Sequence, residues 1–135
     1  MFTVKKRINF FDCDPAGILF YGNIFFLCHS AYEEMISSFD LKLNYWQNEE
    51  FVVPITRSNA NYLNPLKTGD ELTIDVNVSE LRKSSFELSY TCRNQSGDLC
   101  IEVKTVHVFI DKNSWQKKES PPEIKEKLKT HGVDP

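Results

Sequence analysis

Asn23-Ile24-Phe25-Phe26-Leu27-Cys28-His29-Ser30-Ala31-Tyr32-Glu33-Glu34-Met35-Ile36-Ser37-Ser38-Phe39 is the stretch that decides the architecture. Ile24, Phe25, Cys28, Ala31, Tyr32, Met35, Ile36 and Phe39 recur at spacings of three and four. That is the period of a helix with one apolar face. Asn23 stands where an N-cap belongs. The apolar arc is unusually wide, so the helix is expected to be wrapped on several sides. Ser30, Glu33, Glu34, Ser37 and Ser38 supply the polar side. Phe26 falls within that polar side and points to a subunit contact.

Upstream, Thr3 to Phe11 reads as a strand. It stops at Asp12-Cys13-Asp14-Pro15-Ala16-Gly17, a turn carrying two carboxylates. Pro15 fixes its own φ and keeps Asp14 out of the helical region, while Gly17 permits a left-handed backbone. Downstream, after a loop around Leu43 to Glu50, strands dominate. Phe51 to Tyr62 is strand-like. Leu72, Ile74, Val76 and Val78 alternate with Thr73, Asp75 and Asn77, the signature of a half-buried strand. Phe86, Leu88, Tyr90 and Cys92 alternate next, and Asn94 to Asp98 forms a hairpin loop. Leu99, Ile101, Val103, Thr105, His107 and Phe109 share one face of a last long strand. From Ser120 the tail reads as a short, exposed helix started by Pro121 and Pro122. One long buried helix against a five-stranded antiparallel sheet is an α+β arrangement, expected to occupy 1–135 as a single domain. Its uncovered surface and edges favour pairing with a second copy, a homodimer or homotetramer.

The chain has 135 residues, 41% hydrophobic and 26% charged, which suits a globular protein. A net charge of −3 removes the basic footprint that nucleic-acid binding needs. The longest apolar stretch, Pro15 to Cys28, is too short to span a membrane and is interrupted by Gly22 and Asn23. Met1 runs directly into Lys5, Lys6 and Arg7, unlike a signal peptide. The four cysteines form no CxxC or Cys/His cluster, so no metal is expected, and free thiols in a reducing cytoplasm are the plain reading.

Asp14 is the sharpest candidate for chemistry. A carboxylate between a strand end and a helix start can face the backbone N–H groups near Tyr21, Gly22 and Asn23, which carry the helix's positive end. Those groups could polarise a carbonyl oxygen while Asp14 supplies an attacking oxygen or activates water. The alternative is an Asp that only caps its turn. Asp12 is expected to point away from Asp14. Cys13 lacks a local base to make it a nucleophile. Neither His107 nor His131 has a spacing that implies catalysis.

Phe11-Asp12-Cys13-Asp14-Pro15-Ala16-Gly17-Ile18, followed by Phe20-Tyr21 and Asn23, resembles the signature of hotdog-fold acyl-CoA thioesterases of the 4-hydroxybenzoyl-CoA thioesterase type. The resemblance implies the hotdog fold over nearly the whole chain. It also implies a catalytic carboxylate at Asp14 and a carbonyl-polarising backbone N–H at Tyr21. Glu80-Leu81-Arg82-Lys83-Ser84-Ser85-Phe86 is similar to that family's basic turn, which implies coenzyme A phosphate contacts from Arg82, Lys83 and Ser84, supplied by a neighbouring subunit. The Cys28 to Glu33 segment resembles instead the helix of dihydroxynaphthoyl-CoA hydrolases. There His29 either touches the acyl group or is a core-edge histidine bonded to backbone. The expected function is hydrolysis of an aromatic or medium-chain acyl-CoA without any cofactor, in a tunnel lined by the helix and the Pro54 to Tyr62 strand. Hydrolysis on an acyl carrier protein, a hotdog hydratase and non-catalytic acyl-CoA binding are the rivals. Residue 29 bears on the substrate rather than on the reaction.

Overall fold

The computed structural model describes residues 1–132, so the last three positions of the expected 1–135 domain lie outside the described residues. Five strands make one antiparallel sheet: β1 (Phe2–Arg7), β3 (Ile55–Tyr62), β4 (Glu71–Leu81), β5 (Ser85–Arg93) and β6 (Leu99–Val108), in the order β1-β4-β5-β6-β3. The strict alternation of β4 and β5 places Leu72, Ile74, Val76 and Val78 beside Phe86, Leu88, Tyr90 and Cys92 on one buried face. Ile101, Val103, Thr105 and His107 of β6 continue that face. The helix α1 (Asn23–Ser38) lies on it through Ile24, Cys28, Ala31, Tyr32, Met35 and Ile36. Burying six such side chains at helical spacing holds the helix far better than its intrinsic propensity would. Phe26, on the far side, is 78% exposed, as its place in the polar arc predicts.

Several boundaries differ from the sequence reading. The first strand ends at Arg7 rather than Phe11, and Phe10–Asp12 is a 3₁₀ turn. The reason is local: the Asp12 carboxylate accepts the Asn9 N–H at 2.8 Å and turns the chain out of the sheet. Gly22, not Asn23, occupies the N-cap of α1, and Asn23 is its first helical residue. The segment read as one strand from Phe51 is split around Pro54 into β2 (Phe51–Val52) and β3. Here β2 pairs with β7 (Ile110–Asp111) in a separate two-stranded ribbon. The tail helix α2 (Pro122–Lys129) is not simply exposed, because Ile124 and Leu128, one turn apart, are fully buried.

The apolar face of the sheet carries one polar thread. Tyr90 Oη lies 3.1 Å from Thr105 Oγ1, which lies 2.7 Å from His107 Nε2. The His107 ring stacks flat on Phe86 at 4.7 Å, and its Nδ1 has no partner among the described residues. Burial above all, with some help from His29, lowers the His107 pKa from 6.5 to about 3. The folded protein therefore holds this ring neutral, whereas the unfolded chain protonates it below 6.5. Its contribution to stability is intact at neutral pH and is lost progressively as pH falls from 6.5 towards 3. Unfolding free energies from urea titrations between pH 7 and pH 5 should fall, by up to about 1.4 kcal/mol per pH unit below 6. His107→Gln should flatten that slope; an equal slope in both proteins would remove His107 as its source.

Candidate active site

Between the end of β1 and the start of α1, the chain makes a small hairpin. Cys13 bridges Leu19, and the Asp14 N–H donates to the Ile18 carbonyl at 2.9 Å. Pro15, Ala16 and Gly17 form its tip, closed by the Gly17 N–H on the Asp14 carbonyl at 2.9 Å. Gly17 has φ +80, the left-handed conformation for which its position was read. Asp14 Oδ1 accepts the Ala16 N–H at 2.8 Å, a local turn bond. Asp14 is half-buried, and its second carboxylate oxygen accepts no hydrogen bond among the described residues. The turn-capping role and an available oxygen thus coexist in one side chain.

The Asp12 carbonyl is the junction that sets this hairpin against the helix. It accepts the Phe20 N–H at 3.0 Å and the Asn23 Nδ2–H at 2.9 Å. The Asn23 side chain is thereby an anchor to the loop rather than the cap expected of it. The Phe20 carbonyl accepts the Asn23 N–H at 2.9 Å and closes a turn with Tyr21 and Gly22 at its centre. The N–H groups of Tyr21 and Gly22 donate to no acceptor among the described residues. They are free donors at the electropositive end of a 16-residue helix. Sequence reasoning missed one further fixture here: Tyr62 Oη donates to the Tyr21 carbonyl at 2.6 Å. Tyr62 was read only as the end of a strand, and no periodicity signals a hydroxyl reaching 41 residues back along the chain.

Asp12 does point elsewhere, as expected, since its carboxylate serves Asn9. Cys13 Sγ donates to the Asn9 carbonyl at 3.5 Å and accepts from Thr68 Oγ1 at 3.2 Å; no base bonds to it. His29 lies six residues beyond Asn23, about 9 Å along the helix axis. It is not bonded to backbone: its Nδ1 meets Glu33 Oε2 at 3.1 Å, and the side chain is 43% exposed. Its ring stands edge-on to Tyr32 at 5.4 Å and tilted to Trp46 at 6.1 Å. Trp46, read only as part of a loop, is a second half-exposed ring at this spot, and its size and hydrophobicity were the signal available.

The basic turn lies elsewhere. The Arg82 N–H donates to the Ser85 carbonyl at 2.8 Å, leaving Lys83 and Ser84 as the loop between β4 and β5. Arg82 pairs with Glu80, while Lys83 is exposed with no ion-pair partner among the described residues. The Lys83 carbonyl accepts the Ser120 N–H at 3.0 Å, which fixes the turn against the tail. Glu71, at the other end of β4, pairs with Arg7, so the Asp14 hairpin and the basic turn are separated by the length of that strand, roughly 30 Å. Within one chain, Arg82, Lys83 and Ser84 therefore do not converge with Asp14 and Tyr21. Most of β3 faces solvent, and an open apolar cleft of about 260 Å³ lies beside Ile18, Tyr62, Leu63 and Pro65. Among the described residues no cluster suited to a metal ion occurs, and no helix is long and apolar enough to cross a membrane.

Comparison with known proteins identifies the family and the fold. Residues 8–128 match the thioesterase-like superfamily. A 1,4-dihydroxy-2-naphthoyl-CoA hydrolase of Nostoc punctiforme is 33% identical over 98% of this chain and 90% of its own length. The enzyme of the same name from Thermosynechococcus vestitus is 32% identical over 78% of this chain and 73% of its own. The crystal structure of a 1,4-dihydroxy-2-naphthoyl-CoA thioesterase from Synechocystis superposes with a TM-score of 0.88 at 25% identity, covering 94% of each chain. With a helix packed on a five-stranded antiparallel sheet and a family match along nearly all of its length, this chain belongs to the thioesterase-like superfamily and is a hotdog-fold acyl-CoA thioesterase.

Proposed function

We propose that the enzyme hydrolyses an aryl-CoA thioester, a hydroxylated naphthoyl-CoA being the leading candidate, with Asp14 as the reacting carboxylate. The observations that carry this reading are one Asp14 oxygen and the Tyr21 and Gly22 N–H groups at the head of α1, all without partners among the described residues, on two segments joined at the Asp12 carbonyl. Hydrolysis of a thioester needs both. As an oxygen attacks the carbonyl carbon, the carbonyl oxygen becomes an oxyanion, and fixed donors aimed at it lower the barrier. In our reading the Tyr21 N–H is that donor. Asp14 either adds to the carbon, giving an anhydride that water then cleaves, or takes a proton from the water that attacks. Either way the carbon–sulfur bond breaks, and the thiolate of coenzyme A leaves and is protonated. No cofactor takes part.

The acyl group is assigned to the rings on α1 and the loop after it. His29 and Trp46 present half-exposed aromatic faces beside buried Tyr32, which suits a flat acyl group. Glu33, bonded to His29, adds a polar partner for ring hydroxyls. The Nostoc and Thermosynechococcus relatives are named for such a substrate.

The enzyme works as a dimer in this reading, with residues 1–132 forming one catalytic domain around a shared core. An eight-residue edge strand, β3, has most of its side chains exposed and pairs only through β6. A second copy added antiparallel to β3 brings its opposite end alongside Tyr62. The partner's basic turn then arrives at the end of the combined sheet that carries Asp14. Lys83, with no acidic partner among the described residues, and Arg82 would meet the phosphates of coenzyme A there, with Ser84 adding a hydroxyl. Three of the four free cysteines are buried, which suits the reducing cytoplasm, where we place the enzyme.

Release of free thiol across a panel of aryl- and alkyl-CoA esters tests the substrate class, with the highest kcat/KM expected for aryl esters. Asp14→Asn should lower kcat at least a hundred-fold; parental turnover in that variant would rule out the proposed chemistry. Arg82→Ala should raise KM more than it lowers kcat, and an unchanged KM would take that residue out of the site. Mixing Asp14→Asn with Arg82→Ala, assayed far below KM where both are weak, tests whether the site is shared between copies. Random reassortment leaves one site in about four intact, so activity at low substrate should recover to about a quarter of parent. No recovery on mixing would place both residues in the same protomer's site.

A further inference from the structure

Tyr62 is the last residue of the edge strand β3, yet its hydroxyl reaches the head of α1. It donates to the carbonyl of Tyr21 at 2.6 Å, and the two rings meet edge to face at 6.5 Å. That carbonyl shares a rigid peptide plane with the N–H of Gly22, and in a trans peptide the two point in opposite directions. Holding the carbonyl therefore aims the N–H. Gly22 has helical dihedrals, φ −69 and ψ −23, so its N–H points with that of Tyr21 towards the electropositive end of the helix. The N–H itself is unpartnered among the described residues. The neighbouring peptide is fixed differently, by the Asn23 N–H on the Phe20 carbonyl. Each of the two free donors thus sits on a peptide whose carbonyl is held by its own hydrogen bond.

We infer that Tyr62 is a positioning residue of the thioesterase site, which holds the Tyr21–Gly22 peptide so that the Gly22 N–H serves as a second oxyanion donor beside that of Tyr21. The assignment rests on the proposed role of Asp14 and the helix head. A hydrogen bond to the carbonyl does two things. It fixes the direction of the donor, and it polarises the amide so that the N–H donates more strongly. Burial raises the pKa of Tyr62 above 10, which keeps the phenol protonated and donating at any pH where the enzyme would work. Because Tyr62 belongs to the strand we assign to the interface, the same hydroxyl links assembly to the geometry of the reacting end. Nothing in this arrangement makes Tyr62 touch the substrate.

Tyr62→Phe removes only the hydroxyl of a side chain that is 47% exposed, so the fold and the assembly should survive, as melting temperature and sedimentation will report. The kcat for an aryl-CoA ester should fall about tenfold with KM unchanged within about twofold, less than the loss of a whole oxyanion donor. In the ¹⁵N spectrum of the intact dimer, the Gly22 amide should shift upfield, because the carbonyl of its own peptide loses a donor. A Gly22 resonance that stays in place overturns the assignment. So does a parental kcat in Tyr62→Phe when Asp14→Asn is inactive. Parental activity in Asp14→Asn is a different result: it defeats the proposed reaction, and the Gly22 resonance then decides alone whether Tyr62 holds this peptide.

Discussion

The carbonyl oxygen of Asp12 is the point on which the reacting end of this molecule turns. Two donors, the Phe20 amide from the turn leading into α1 and the Asn23 carboxamide from its first residue, converge on it. Without that junction, the hairpin carrying Asp14 and the head of the helix would be two loops meeting at the edge of the core. With it, the carboxylate and the free amides hold a fixed relation, although they are separated by the tip of a hairpin and the entry to a helix. The side chain of Asp12 contributes to the same end. By taking the Asn9 N–H, it stops the strand early and turns the chain towards the helix. One residue thus sets where the strand ends and where the helix begins, while its neighbour two positions on is left available for chemistry.

Much of this was legible in the sequence, because hydrophobic period is a strong signal where burial is one-sided. The alternation from Leu72 to Val78 and from Phe86 to Cys92, and the three-and-four spacing from Ile24 to Ile36, correspond to the buried face of the sheet and the buried stripe of α1. The turn at Pro15 to Gly17 was legible for another reason, since proline and glycine restrict dihedrals wherever they stand. What stayed hidden was long-range polar contact. Asn23 has the chemistry of a cap, and only the approach of Asp12 diverts its side chain to another task. Tyr62 reads as one more strand residue until its hydroxyl is seen on Tyr21. The tail was misjudged because Ile124 and Leu128 are two apolar residues among many charges, yet one turn apart they suffice to dock a helix.

The candidate site was legible in the same uneven way. Asp14 and Tyr21 are close in sequence, and their segments are joined at the Asp12 carbonyl by the Phe20 N–H and the Asn23 side chain. Arg82, Lys83 and Ser84 belong to a turn whose place in the sheet is fixed by the register of β4 with β1 and β5, and that register puts them at the opposite end. The sequence could name these side chains but not their distance from Asp14. In the proposed dimer, twofold pairing through β3 would reconcile the two halves, because antiparallel association exchanges the ends of the sheet. On that proposal the exposed edge is the means by which a small chain gathers groups its own length keeps apart.

Asp14 gives the sharpest form of a general difficulty, since its plain structural role and its proposed chemical role rest on the same bond. A carboxylate that accepts the amide two residues ahead is among the commonest turn fixtures in proteins, and by itself argues for nothing more. Its significance changes when the opposite oxygen is unpaired and faces no competing donor among the described residues. A side chain held at one oxygen has lost most of its rotational freedom before a substrate arrives, so little ordering remains for the reaction to impose. The turn bond therefore does not compete with the chemical reading. In the proposed reaction it would supply the orientation that a nucleophile or base needs, as the bond from Tyr62 would for the amide that faces the oxyanion.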